Sequence, residues 1–192
     1  MNSICVFAGS SVGNNTEYAQ QARQLGMEIA KRGITLIYGG SKLGLMGEAA
    51  NGALALGGKV IGIIPTGLVR TEVVHTGLTE LIQVQDMHER KAAMNRLADG
   101  FAALPGGFGT FEEWFEVLCW SQLGIHEKPV ALLNVREYYT PLIHMIEQSV
   151  QAGFASASHR QLIVVREDAA SLLEEMERFC RPSFLGKWQK SN

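Results

Sequence analysis

The chain has 192 residues, enough for one domain with a substantial core; a chain of this size buries roughly 70% of its unfolded surface. Hydrophobic residues make up 46% and charged residues 19%, which excludes a disordered chain, and a net charge of −2 gives no basis for a nucleic-acid or membrane-surface partner. Three cysteines, Cys5, Cys119 and Cys180, have no paired spacing and point to free thiols in a reducing, cytoplasmic setting.

The first residues, Ser3-Ile4-Cys5-Val6-Phe7, read directly as a strand, so no secretory leader is expected. No run approaches the ~20 apolar residues of a membrane helix. From there short apolar runs alternate with amphipathic segments. Strands are expected at Ile4–Phe7, Thr35–Tyr38, Lys59–Ile64, Leu81–Val84, Gly100–Leu104, Pro129–Leu133 and Leu162–Val165. Helices are expected at Thr16–Arg32, Leu45–Leu56, Met87–Asp99, Thr110–Leu123, Tyr139–Ala152 and Ala169–Phe179. Val60-Ile61-Gly62-Ile63-Ile64 is apolar without alternation, as a strand covered on both faces requires. Strand–helix–strand repetition implies right-handed crossovers and a parallel, doubly wound α/β sheet with helices on both faces. The reading is a single domain over 1–192, with the tail 182–192 unassigned.

Three strand-to-helix turns carry glycine: Ala8-Gly9-Ser10-Ser11-Val12-Gly13, Gly39-Gly40-Ser41-Lys42-Leu43-Gly44, and Pro105-Gly106-Gly107-Phe108-Gly109-Thr110-Phe111-Glu112-Glu113. In a doubly wound sheet such turns share the carboxyl edge, where ligands bind. Glycine admits a ligand close to the backbone, and first-turn N–H groups attract anions. Gly9, Ser10, Gly39, Gly40 and Gly106 are therefore candidate pocket residues for a nucleotide or sugar phosphate. The second turn is not a phosphate-binding P-loop, because neither Ser nor Thr follows Lys42. The third is not a dinucleotide fingerprint, because Glu112 stands where a glycine is expected. Thr110 and Glu113 admit two readings: a capping box at the start of a helix, or a carboxylate placed for chemistry.

In Met87-His88-Glu89-Arg90-Lys91, Arg90 falls on the apolar stripe formed with Met94 and Leu97. A half-buried arginine needs a carboxylate or phosphate partner. His75 and His88 lack metal-ligand spacing, so no metal is expected, and no cofactor is implied.

The signature Pro105–Glu113, with Met87–Lys91 upstream, Phe7-Ala8-Gly9-Ser10-Ser11 and Tyr38-Gly39-Gly40, resembles the Lonely Guy family. Those enzymes are cytokinin riboside 5′-monophosphate phosphoribohydrolases, long misnamed lysine decarboxylases. The resemblance spans about Ile4 to Val165. It implies a Rossmann-like nucleotide-binding fold and a hydrolase that cleaves the N-glycosidic bond of adenosine-type 5′-monophosphates. It implies Arg90 and Glu113 as the catalytic pair. It also implies substrate contacts from Glu72, Met87 and Lys91, and from Gly107, Phe108, Gly109 and Thr110. A homodimer is implied as well; the helix carrying Phe111, Trp114, Phe115, Val117, Leu118, Trp120 and Leu123 is apolar on nearly every side and needs burial all round. The rival readings are a non-catalytic nucleotide or cofactor carrier and a lysine decarboxylase, which needs a pyridoxal phosphate site that the sequence does not display.

Overall fold

The computed structural model describes residues 1–69 and 74–182. Its elements, in chain order, are β1 (Ser3–Phe7), α1 (Thr16–Lys31), β2 (Thr35–Tyr38), α2 (Gly44–Ala55), β3 (Val60–Pro65), β4 (Glu80–Val84), α3 (Met87–Leu97), β5 (Phe101–Ala103), α4 (Phe108–Leu123), β6 (Val130–Leu133), α5 (Thr140–Gln151), α6 (Ala157–Arg160), β7 (Ile163–Arg166) and α7 (Ala169–Arg178). Every expected strand and helix is present to within two residues at each end. The exceptions to the list are α6, a single turn too short to show periodicity, and a 3-10 turn at Val135–Glu137 between β6 and α5. The tail beyond Pro182 lies outside the described residues.

The described strands form one seven-stranded sheet in the order β4-β3-β2-β1-β5-β6-β7, and every neighbouring pair is parallel. The chain winds outward from β1 to β4, returns to the centre, and winds outward again from β5. Ile4 and Val6 of β1 face a cluster with Leu25 and Ile29 of α1, Leu45 of α2 and Leu172 of α7. Cys5 and Phe7 face the opposite cluster, with Met94 of α3 and Trp114 and Val117 of α4. Both faces of β1 and β3 are buried, which accounts for their continuous apolar runs. Each such large side chain contributes about 1.5–3 kcal/mol relative to exposure. β4 lies at the edge of the sheet and is correspondingly less buried.

Three helix starts carry conventional caps. Asn15 accepts from the Glu17 N–H at 2.9 Å, and Asp168 accepts from the Ser171 N–H at 2.9 Å. Asp86 accepts from His88 and Glu89, while Glu89 reaches back to the Gln85 N–H at 2.8 Å. These caps satisfy amides that a helix cannot satisfy itself. The start of α4, like those of α2 and α5, has no side-chain cap, and the candidate site is built around it.

Candidate active site

β1 and β5 are neighbours in the sheet but belong to opposite windings, so their carboxyl ends open the crevice of the fold. The three glycine turns meet there. The Gly9 N–H donates to the Pro105 carbonyl at 3.1 Å, tying the first turn to the third. The Gly9 carbonyl accepts from Leu45 at 3.0 Å and Met46 at 3.4 Å, tying the first to the second. The early amides of α2 are thus committed within the protein. These bonds tie the second turn to the first.

The third turn keeps its amides. Gly107 is the N-cap of α4 and supplies no side-chain cap, and the next backbone bond runs from the Phe111 N–H to the Gly107 carbonyl at 3.1 Å. The amides of Phe108, Gly109 and Thr110 belong to the first turn, which has no intrahelical acceptors to offer. They form an electropositive helix end. The capping-box reading of Thr110 and Glu113 is overturned. The helix starts at Phe108, two residues before the expected boundary, so Thr110 lies inside its first turn. Thr110 instead packs under Gly106, where a Cβ would meet Thr110 Oγ1 at 2.1 Å. Glycine at 106 is what lets the turn fold down onto the helix it starts.

Glu113 turns inward, and Arg90 Nη2 meets Glu113 Oε1 at 3.3 Å, with side-chain exposures of only 12% and 11%. Arg90 Nε is buried without a hydrogen bond. Burial raises the Glu113 carboxyl above the usual carboxylate range; the Arg90 charge opposes this most, Glu112 and Glu116 add to the rise, and Lys91 offsets it. The partner that the sequence demanded for Arg90 is therefore a carboxylate of α4. Gly39 lies beneath the guanidinium, and Met87 Sδ stands 3.7 Å from Arg90 Nη1.

Lys91 is occupied on the α4 side of the pair. Its ammonium donates to Glu112 and, at 3.0 Å, to Glu116. Both carboxylates raise its pKa, the Glu112 contact most, against the effect of burial.

A cavity of about 290 Å³ opens beside the first and third turns, lined by Gly9, Ser10, Tyr18, Gly106, Gly107 and Tyr138. Arg90 and Glu113 are not among its lining residues. Phe108, the first residue of α4, is 92% exposed. Gly40 is buried in its turn, where its carbonyl accepts from the His75 N–H at 2.9 Å. Glu72 lies outside the described residues.

Sequence reasoning missed the two tyrosines that follow β6. The Tyr138 hydroxyl donates to the Gly106 carbonyl at 2.5 Å, and the Tyr139 hydroxyl donates to the Leu104 carbonyl at 2.6 Å. They brace the third turn on both sides of Pro105. The turn that presents them holds Arg136 at φ 50° and Glu137 at φ 59°, uncommon for residues with side chains. Asn134 stabilises it by accepting from the Tyr139 N–H at 2.6 Å, and Arg136 pairs with Glu17 at 3.0 Å. Their place just beyond a strand, at the carboxyl edge, was the available signal.

Among the described residues, no three His, Cys, Asp or Glu side chains gather so as to hold a metal ion, and no helix is long and apolar enough to cross a membrane.

The profile of the family described as "Possible lysine decarboxylase" matches residues 46–176. A protein of Oryza sativa subsp. japonica named probable cytokinin riboside 5′-monophosphate phosphoribohydrolase LOGL1 is 49% identical over 178 residues, covering 93% of this chain and 80% of that protein. The cytokinin riboside 5′-monophosphate phosphoribohydrolase of Rhodococcoides fascians is 50% identical over 167 residues, covering 86% and 84%. Among solved structures, the molybdenum cofactor carrier protein MCP of Chlamydomonas reinhardtii aligns with a TM-score of 0.68 at 25% identity, covering 92% of this chain and 96% of that one. The fold is thus Rossmann-like and shared with a cofactor carrier at 25% identity, while the phosphoribohydrolases named here are 49–50% identical. The chain belongs to the Lonely Guy family, whose profile carries the lysine decarboxylase description.

Proposed function

We propose that this chain is a cytokinin riboside 5′-monophosphate phosphoribohydrolase. It hydrolyses the N-glycosidic bond of adenosine 5′-monophosphates, N6-substituted ones included, to free base and ribose 5-phosphate. The observation that carries the site assignment is the buried Arg90–Glu113 pair at 3.3 Å beside a helix start that has no side-chain cap.

Glycosidic cleavage builds positive charge on the ribose in an oxocarbenium-like transition state. Glu113, as a largely desolvated carboxylate, stabilises a charge that the ground state lacks, which lowers the barrier. The bond between C1′ and the base nitrogen breaks, and its electron pair leaves with the base. Water adds to C1′ and gives its proton to the Glu113 carboxylate, and that proton passes on through solvent to the departed base, which restores the carboxylate. The amides of Gly107 to Thr110 hold the 5′-phosphate. The Gly9, Ser10 and Gly106 turns shape the wall of the pocket, Gly39 leaves the room in which the Arg90 guanidinium sits, and Met87 and Phe108 open α3 and α4 beside the pair. Arg90 favours the charged form of Glu113 against the effect of burial and offers its open donors to the substrate. A lysine Schiff base needs an amine whose pKa is lowered. Lys91 is raised by its two carboxylates, which speaks against decarboxylation there.

The active form is a homodimer in the cytoplasm. α4 presents Phe115, Leu118 and Cys119 outward, beside Met145 and Ile146 of α5, around an apolar groove of about 280 Å³. A second copy covering this groove gives α4 the burial that its composition calls for. Light scattering should give twice the mass of the chain, and Met145→Glu should halve it; a monomer in the wild type would refute the assembly.

The functional test is a product assay with AMP and its N6-isopentenyl form. Release of base and ribose 5-phosphate in equal amounts supports the reading. Tight nucleotide binding without base release over hours would instead make the chain a carrier, the reading favoured only by its likeness to the molybdenum cofactor carrier.

A further inference from the structure

Lys91 is next to Arg90 in sequence but does not share its environment. Its ammonium is held by Glu112 and Glu116, which flank Glu113 on α4, and its side chain is only 14% exposed. Lys91, Glu113 and Glu116 border one void of about 10 Å³, closed by Phe7, Met94, Asn95, Phe101 and Val117. That space admits no more than a single water, so charges act on one another across it with little screening.

We propose that Lys91 is the positioning residue of the reaction: it clamps the start of α4 onto α3 and cancels the field of Glu112 and Glu116 at Glu113, so that Glu113 works as an anion. This rests on the functional reading above, and it assigns Lys91 an action through Glu113 in place of the substrate contact that the family resemblance implies.

The charges around Glu113 fit this role. α3 supplies Arg90 at 3.3 Å and Lys91. α4 supplies Glu112 and Glu116, one residue before Glu113 and one turn after it. β1 supplies Cys5, a buried thiol whose pKa is raised by burial and by Glu113, and which is therefore neutral. β5 contributes only the ring of Phe101. The Lys128 ammonium, which reaches Cys5 electrostatically, is bound to the Asn95 carbonyl at 2.6 Å. With Lys91 removed, Arg90 alone faces three carboxylates within one helical turn. Like charges so placed favour protonation of the most buried one, which is Glu113.

The test is a carboxyl-¹³C NMR titration of glutamate-labelled protein without substrate, the Glu113 signal being assigned by its loss in Glu113→Gln. Lys91→Met should raise the Glu113 midpoint by about one pH unit. Lys91→Arg should leave it near the wild-type value, and the triple variant Lys91→Met/Glu112→Gln/Glu116→Gln should bring it back. Should Lys91→Met fail to fold, Glu112→Gln/Glu116→Gln alone should lower the midpoint. In turnover, the acid limb of the pH–rate profile should move with the midpoint. An unmoved midpoint, with KM for AMP raised tenfold, would overturn the proposal and make Lys91 a phosphate ligand. The titration is read without catalysis, so it stands or falls independently of the substrate assignment.

Discussion

Gly39 admits the guanidinium of Arg90: a Cβ at residue 39 would lie 2.3 Å from Arg90 Nη2 and 3.2 Å from Met46 Sδ. The nearest obstacles are ends of flexible side chains, so the fold can accept a methyl group there by moving Arg90 aside. That places the cost on the reaction and not on stability. Gly39→Ala should keep its melting temperature within about 2–4 °C of wild type, the shift expected from roughly 1 kcal/mol in a chain of this size. Its kcat should fall by about 10², the scale of a 1 Å misplacement of a catalytic group. Thermal denaturation beside base-release kinetics checks both; an unchanged kcat would mean that the guanidinium does not need its present seat.

The tyrosine braces give a graded prediction. Tyr139 is fully buried and its hydroxyl meets the Leu104 carbonyl, so Tyr139→Phe leaves a buried acceptor with one partner fewer. Such a loss costs about 1–3 kcal/mol. Tyr138 lines the cavity and binds the Gly106 carbonyl, which belongs to the turn proposed to hold the phosphate. Tyr138→Phe should therefore cost less stability than Tyr139→Phe but raise KM for the nucleotide more. Melting curves and KM values measured on the two variants in parallel would show the opposite ranking if the braces served the fold alone.

Acid sensitivity should come in part from the helix caps. Asp86 is held below the usual carboxylate range first by the Glu89 N–H, and Asp168 first by the Ser171 hydroxyl. For a carboxyl lowered in the folded state, the stabilisation is present above the unfolded pKa, ~3.9 for Asp, and is lost as pH falls through the folded value. Unfolding midpoints should thus drop below about pH 4. Asp86→Asn and Asp168→Asn, which keep a capping oxygen but do not titrate, should flatten that drop while changing neutral-pH stability little. An equal drop in the double variant would assign acid sensitivity to other groups.

Much of this architecture is readable from sequence because it follows local rules. Val60 to Ile64 had to be a strand covered on both faces, and Arg90 on an apolar stripe had to find an anion. Pro105 to Thr110 had to be a turn opening a helix. Local rules failed where two of them competed. Thr110 with Glu113 has the spacing of a capping box, but Gly107 and Phe108 can enter the helix earlier, and Glu113 is drawn inward by Arg90. Other features depend on pairs distant in sequence. The Tyr138 hydroxyl meets a carbonyl 32 residues away, and Lys91 meets Glu112 21 residues away, across a helix–strand–helix connection. No periodicity encodes either. α6, four residues long, is below the length at which a helical pattern repeats.

The proposed role of Glu113, partnered by Arg90 at 3.3 Å, is to face the ribose of a bound nucleoside monophosphate as a carboxylate. Its most direct measurement is the single-turnover rate of base release from AMP by wild type, Glu113→Gln and Arg90→Ala, each first shown to be folded by circular dichroism. The account predicts that both variants lose about 10²–10⁴ in rate, as expected when a catalytic acid–base group is removed, while remaining folded. Folded variants that release base at near wild-type rates would contradict it.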